Sequence, residues 1–135
     1  MRALAVIALL GLTAAQEAPT GLEGRWANPS KSVVLDIAPC GDTLCGTVAW
    51  ASDQAQQDAR KGTAQLVGTQ LLTGMKAKGA TWEGRLFIPD ENMRVTAKLQ
   101  LVSAGQLKVS GCAMAGAICR SQVWNRADGP LPASD

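Results

Sequence analysis

The chain contains no histidine and no tyrosine, and only one phenylalanine among its 135 residues. Without histidine it lacks the side chain that most often serves as a general base near neutral pH. It lacks one of the usual zinc ligands for the same reason. No Gly-x-Ser-x-Gly elbow, glycine-rich phosphate loop or metal-ligand cluster is present. Asp90 and Glu91 are adjacent carboxylates, but they stand in a stretch of turn formers where solvation is the expected fate. These absences point away from an enzyme, a metal site and a cofactor. One-sided charge is also missing. Thirteen basic residues against eleven acidic ones leave a net charge of +2, which gives no electrostatic case for nucleic acid or an anionic membrane. The longest apolar run, residues 3–12, is about half of the roughly 20 residues that a membrane-spanning helix needs.

That short run has a different reading. Met1-Arg2 gives a positive start, the apolar stretch follows, and Thr13-Ala14-Ala15 supplies small residues before the chain turns polar at Gln16 and Glu17. This is the layout of a secretory signal peptide. The expected organisation is a signal peptide over residues 1–15 and one domain over residues 16–135. The destination is the periplasm or the exterior, with no stable membrane insertion once the signal is cleaved. The four cysteines, Cys40, Cys45, Cys112 and Cys119, all lie in the expected mature part. An even count in an exported chain reads as two disulfides. Three pairings are open to four cysteines. Local pairing, Cys40–Cys45 and Cys112–Cys119, suits partners on paired strands. Crossed pairing would close larger loops and stabilise more in the chain-entropy model.

Period-two alternation dominates the mature part. Val33, Leu35 and Ile37 alternate with Val34, Asp36 and Ala38. Leu44, Gly46, Val48 and Trp50 follow the same rule, as do Trp82, Gly84, Leu86 and Ile88. Val95, Ala97, Leu99 and Leu101 form another such face, and Leu107 and Val109 a shorter one. Each run has one apolar and one mostly polar face, as a half-buried antiparallel strand requires. Turn formers at residues 40–42, 89–92, 103–105 and 115–116 separate the runs. With residues 22–26, 69–73 and 118–126 added, the count reaches about eight strands, which suggests a small antiparallel up-and-down barrel. Residues 52–62 break the pattern and suit a short helix or a loop.

The aromatic residues are skewed toward four tryptophans, and by strand phase Trp26, Trp50, Trp82 and Trp124 all face inward. They either fill the core or line a pocket for an apolar ligand. Arg120 and Gln122 share the inward phase of Trp124. Gly24 and Trp26 open the first strand and Arg126 closes the last. In a closed barrel those strands are neighbours, so Arg120 or Arg126 can stack on the Trp26 ring.

A Gly-x-Trp first strand with a late arginine resembles the lipocalin and fatty-acid-binding-protein superfamily. A wider set of motifs resembles a family of exported bacterial proteins, domain of unknown function 2147. These are Cys40-Gly41-Asp42-Thr43-Leu44-Cys45-Gly46 with Val48 and Trp50, Gly68-x-x-Leu71-Leu72, Trp82-x-Gly84, Gly111-Cys112, and Cys119-Arg120 through Trp124-x-Arg126. The similarity runs from Gly24 to Arg126. Asn92-Met93-Arg94-Val95 departs from the glycine, basic residue and aromatic expected there. The resemblance implies a lipocalin-like fold and no settled activity.

The expectation for function is a lipocalin-like binding protein that holds a small apolar or amphipathic ligand through Trp50, Trp82, Arg120, Gln122 and Trp124. The alternative is an envelope interaction or inhibitor module with a self-filled barrel that acts through its outer surface. Phe87, on the polar face of its strand, is the expected homodimer contact.

Overall fold

The computed structural model describes residues 20–133, so the expected signal peptide lies outside the described residues. Eight antiparallel strands follow one another around a closed barrel. They are β1 (Gly24–Ala27), β2 (Val33–Cys40), β3 (Thr43–Ala51), β4 (Gln70–Lys78), β5 (Thr81–Ile88), β6 (Met93–Ser103), β7 (Gln106–Ala113) and β8 (Ile118–Arg126). Each pairs with its neighbours in sequence, and β1 with β8 closes the ring. The up-and-down barrel read from the alternation is therefore the fold. Tight turns make it possible. Gly41 and Asn92 take left-handed backbone (φ 69° and 47°), a conformation glycine and asparagine tolerate best. Both disulfides are local: Cys40–Cys45 clips the β2–β3 hairpin and Cys112–Cys119 the β7–β8 hairpin.

Residues 52–62 do form a short helix, α1 (Asp53–Asp58), which runs into a 3₁₀ turn, Ala59–Lys61. The Ser52 hydroxyl caps α1 by accepting from the Ala55 N–H. The helix buries none of its own residues, whereas Ala59 is fully buried. This excursion changes the fate of Phe87. The Phe87 ring lies so close to Gly62 that a Cβ added there would meet its Cζ at 3.0 Å. The guanidinium of Arg94 covers it as well, and Phe87 is 8% exposed. Phe87 is thus not the exposed homodimer contact expected from its strand phase.

One end of the barrel is sealed by the chain that enters it. Leu22 precedes β1 instead of belonging to it, and its side chain is 1% exposed inside the barrel. The Trp26 indole N–H donates to the Leu22 carbonyl at 2.8 Å. Arg126 lies over the Trp26 ring, 3.9 Å from its centre, and donates to the carbonyls of Glu23, Gly21 and Ala104. Between the two candidate arginines, Arg126 performs the closure. Gly24 sits beside it, because a Cβ there would come 2.9 Å from the Arg126 Nη1.

Glu23 fastens this entry segment through Thr20, whose backbone N–H and hydroxyl both donate to its Oε1. Burial pushes the Glu23 carboxyl up. The Thr20 hydroxyl and the backbone N–H groups of Glu23, Thr20 and Leu22 outweigh that and hold it below its ordinary value. A lowered folded-state pKa means the unfolded chain binds the proton more readily. The contribution is therefore present above the unfolded value and is lost as pH falls through the folded one. Urea unfolding should show wild type slightly more stable than Glu23→Gln at pH 7, with the gap closing near pH 3. A gap that widens on acidification would contradict this role for Glu23.

Candidate functional site

The inner face of β5 to β8 changes character around the barrel. Cross-strand rows run Trp82–Leu99–Val109–Gln122, then Gly84–Ala97–Gly111–Arg120, and Leu101–Leu107–Trp124. Residues directly opposite on paired strands share a face, so Arg120 and Gln122 are on the inner side, as their phase predicted. Ala97, Leu99 and Leu107 in the same rows are fully buried, whereas Arg120 and Gln122 are exposed. The seam explains the difference. β1 has only four residues and meets β8 only at Trp26–Arg126 and Ala27–Asn125. Among the described residues, 118–123 of β8 have β7 on one side and no strand on the other. The barrel is thus sealed at the Trp26 end and split along β8 at the opposite end.

The floor under this split is apolar. A Cβ added to Gly111 would come 3.1 Å from Val95 Cγ2 and 3.2 Å from Leu86 Cδ2, so both side chains lie against the Gly111 backbone. Ala113 and Ile118 are opposite each other in the next row, and Ile118 is 52% exposed. Arg120 is the charged residue of this wall, and neither ion pair among the described residues involves it. Gln122 accepts from the Trp124 indole N–H at 3.2 Å, which satisfies Trp124 and leaves the Gln122 amide N–H groups available.

The predicted site residues therefore divide. Trp82, Arg120, Gln122 and Trp124 share the inner face, with Trp82 on β5 separated by β6 and β7 from the other three on β8. Trp82 is half-buried against the core and Trp124 is 8% exposed. Trp50 does not join them. A register shift between Val34 and Leu35 places Trp50 opposite Val34, while Val48 is opposite Leu35. Leu35, Val48 and Ala51 belong to the core cluster, and Val34 is outside it. The bulge adds a residue to β3 and reverses its phase, so Trp50 lies on the outer face. Its indole N–H is buried there without an acceptor. Leu86, Val95 and Gly111 are wall residues that the sequence reading did not single out. Their signal was the same inward phase as Trp82 and Arg120.

Elsewhere the barrel is full. Leu22, Trp26, Ile37, Val48, Leu72, Met75, Leu99 and Leu107 are each less than 2% exposed. A cleft of about 420 Å³ lies on the outer side of β4, β5 and β6, lined mostly by polar residues together with Phe87.

A family model described as an uncharacterized protein conserved in bacteria, DUF2147, matches residues 24–126. A solved structure described as protein HP1028 from the human pathogen Helicobacter pylori, belonging to the lipocalin family, is similar in fold. The two share 12% identity with a TM-score of 0.62, over 78% of this chain and 82% of that one. At that identity the likeness is one of fold: the barrel is lipocalin-like. No curated protein sequence matches the chain.

Proposed function

The chain belongs to the bacterial DUF2147 family, and on that premise we propose that it is a non-catalytic binding protein of the cell envelope that takes a small amphipathic molecule at the split end of its barrel. Two disulfides in a chain of a bacterial family point to a compartment outside the cytoplasm. Among the described residues no helix is long and apolar enough to cross a membrane. A periplasmic location is the finer reading, and it rests on the signal-like leader.

The observation that carries the proposal is the inner wall at the split end, where Ile118, Arg120 and Gln122 of β8 are exposed and Gly111 and Ala113 of β7 are half-buried. Its apolar floor of Leu86, Val95, Gly111 and Ala113 suits a hydrocarbon or planar portion. Arg120 and the free Gln122 amide N–H groups suit an acidic head at the rim, where a guanidinium can hold a carboxylate bidentately. Because the lower barrel is filled by its own side chains, the ligand lies in the mouth and does not thread the axis.

Fluorescence titration of the oxidised protein with medium- and long-chain fatty acids tests this through Trp82 and Trp124. Binding should be saturable. Arg120→Glu should weaken it by at least about tenfold while leaving neutral monoglycerides of the same chain length much less affected. No emission change with either series, together with no bound mass in native mass spectrometry of protein purified from its host, would overturn the barrel reading. The packed interior favours the second reading, in which the module works through its outer surface.

A further inference from the structure

We propose that the outer cleft over β4, β5 and β6 is a binding site for an oxyanion of the carboxylate or phosphate class, separate from the split end of the barrel. Its lining is Gly62, Thr63, Thr69, Gln70, Thr73, Arg85, Phe87 and Arg94. Two guanidiniums enter this lining and no carboxylate does. Arg94 is directly opposite Phe87 and Arg85 opposite Thr96, which places the two arginines diagonally across adjacent strands on one face. Diagonal neighbours are roughly 7–8 Å apart at the backbone, close enough for two long cationic side chains to converge on one group. Neither arginine takes part in the ion pairs found among the described residues, Lys78–Glu83 and Arg126–Asp128. Among the described residues, then, these two like charges at one cleft have no ion-pair partner.

The walls hold the arrangement in place. Arg94 rests its guanidinium over the Phe87 ring, 4.4 Å from the centre. That contact fixes the plane of the fork and leaves its N–H edges free. The Gly62 backbone packs against the edge of the Phe87 ring, whose Cζ a Cβ there would meet at 3.0 Å. Among the remaining polar groups, Gln70 and Thr73 can donate to an anion, whereas Thr63 and Thr69 cannot. The Thr63 and Thr69 hydroxyls both donate to the Gln65 carbonyl, so their protons are committed. Gln70 and Thr73 line the cleft with an amide and a hydroxyl available as donors. At about 420 Å³ the cleft lies within the usual range for small-molecule sites. It has room for a lone anion and for one that carries a neutral body beyond its acidic group. The recognised part is that group.

The test follows the side-chain Nε–H resonances of Arg85 and Arg94, and the backbone amides of Gly62, Gln70 and Thr73 that remain in every variant, by NMR in the intact, oxidised protein. Inorganic phosphate and succinate are added at constant ionic strength, and phosphatidylglycerol vesicles are used in parallel. The expected result is saturable shifts at both arginines. Binding should weaken at least about tenfold in Arg85→Gln and in Arg94→Gln, and vanish in the double variant. In Arg120→Gln the shifts at Arg85 and Arg94 should keep their wild-type concentration dependence, which separates this site from the barrel mouth. Both arginines are exposed, so the variants should retain the wild-type melting temperature within a few degrees. Saturation by free phosphate or succinate identifies a soluble ligand. Sedimentation with vesicles that is lost in the double variant identifies a lipid headgroup. Either outcome supports the oxyanion site. No saturable shift, shifts that chloride reproduces, or backbone amide shifts at Gly62, Gln70 and Thr73 that persist in the double variant overturn it.

Discussion

Trp26→Ala is expected to destabilise the barrel by about 3–5 kcal/mol, the range for truncating a large buried aromatic. The indole is fully buried and touches three things that would all be lost at once. Its N–H satisfies the Leu22 carbonyl, which alanine would leave without that donor. Its ring is the platform for Arg126, whose guanidinium joins the entry segment at Gly21 and Glu23 to the β6–β7 turn at Ala104. Its bulk also backs Leu22, the plug of the sealed end. Thermal unfolding followed by circular dichroism should show a drop of roughly 10–20 °C. Trp26→Phe keeps much of the ring surface and should cost markedly less. A drop of only a few degrees in Trp26→Ala would show that the plug holds without its anchor.

Removing both disulfides, by Cys→Ser at all four positions, should cost about 4 kcal/mol in total. In the chain-entropy model loops as short as these are worth about 2 kcal/mol each, since the paired cysteines are five and seven residues apart. The two clips should differ in local effect. Cys40–Cys45 joins strands that have further neighbours on both sides. Cys112–Cys119 clips a hairpin whose β8 arm has an unpaired edge along residues 118–123. Amide hydrogen exchange should therefore rise around Arg120 and Gln122 in Cys112→Ser/Cys119→Ser, and much less around Gly46 in the other pair. Uniform exchange across both variants would mean that the open edge is no weaker than the rest of the barrel.

The sequence disclosed the strands because each has one wet and one dry face, and a period of two records that directly. It disclosed the seam because Trp26 and Arg126 occupy the first and last strands of a ring. Trp50 was misread for a definite reason. A β-bulge is an extra residue in the ladder, and nothing in Val48-Ala49-Trp50 distinguishes it from uninterrupted alternation. Phe87 was misread because its cover comes from a segment distant in sequence, through Gly62 and Ala59. The outer cleft was hidden for a related reason. Arg85 and Arg94 lie on the polar faces of β5 and β6, and such faces look the same in sequence whether they meet water or a wall. The half-open mouth was legible in part. The inward phase of Arg120 and Gln122 was visible, but their exposure depends on how short β1 is.

Both disulfides join cysteines that are adjacent in the order of cysteines along the chain. This has a consequence for biogenesis. A chain threaded through a membrane pore from its N-terminus presents Cys40 and Cys45 together, and much later Cys112 and Cys119. An oxidase that joins thiols in order of arrival makes the native bonds, whether or not any of the barrel has yet formed. Maturation by this route requires no disulfide shuffling. Each correct crosslink can precede the barrel closure between the first and last strands, which has to wait for the whole domain to arrive.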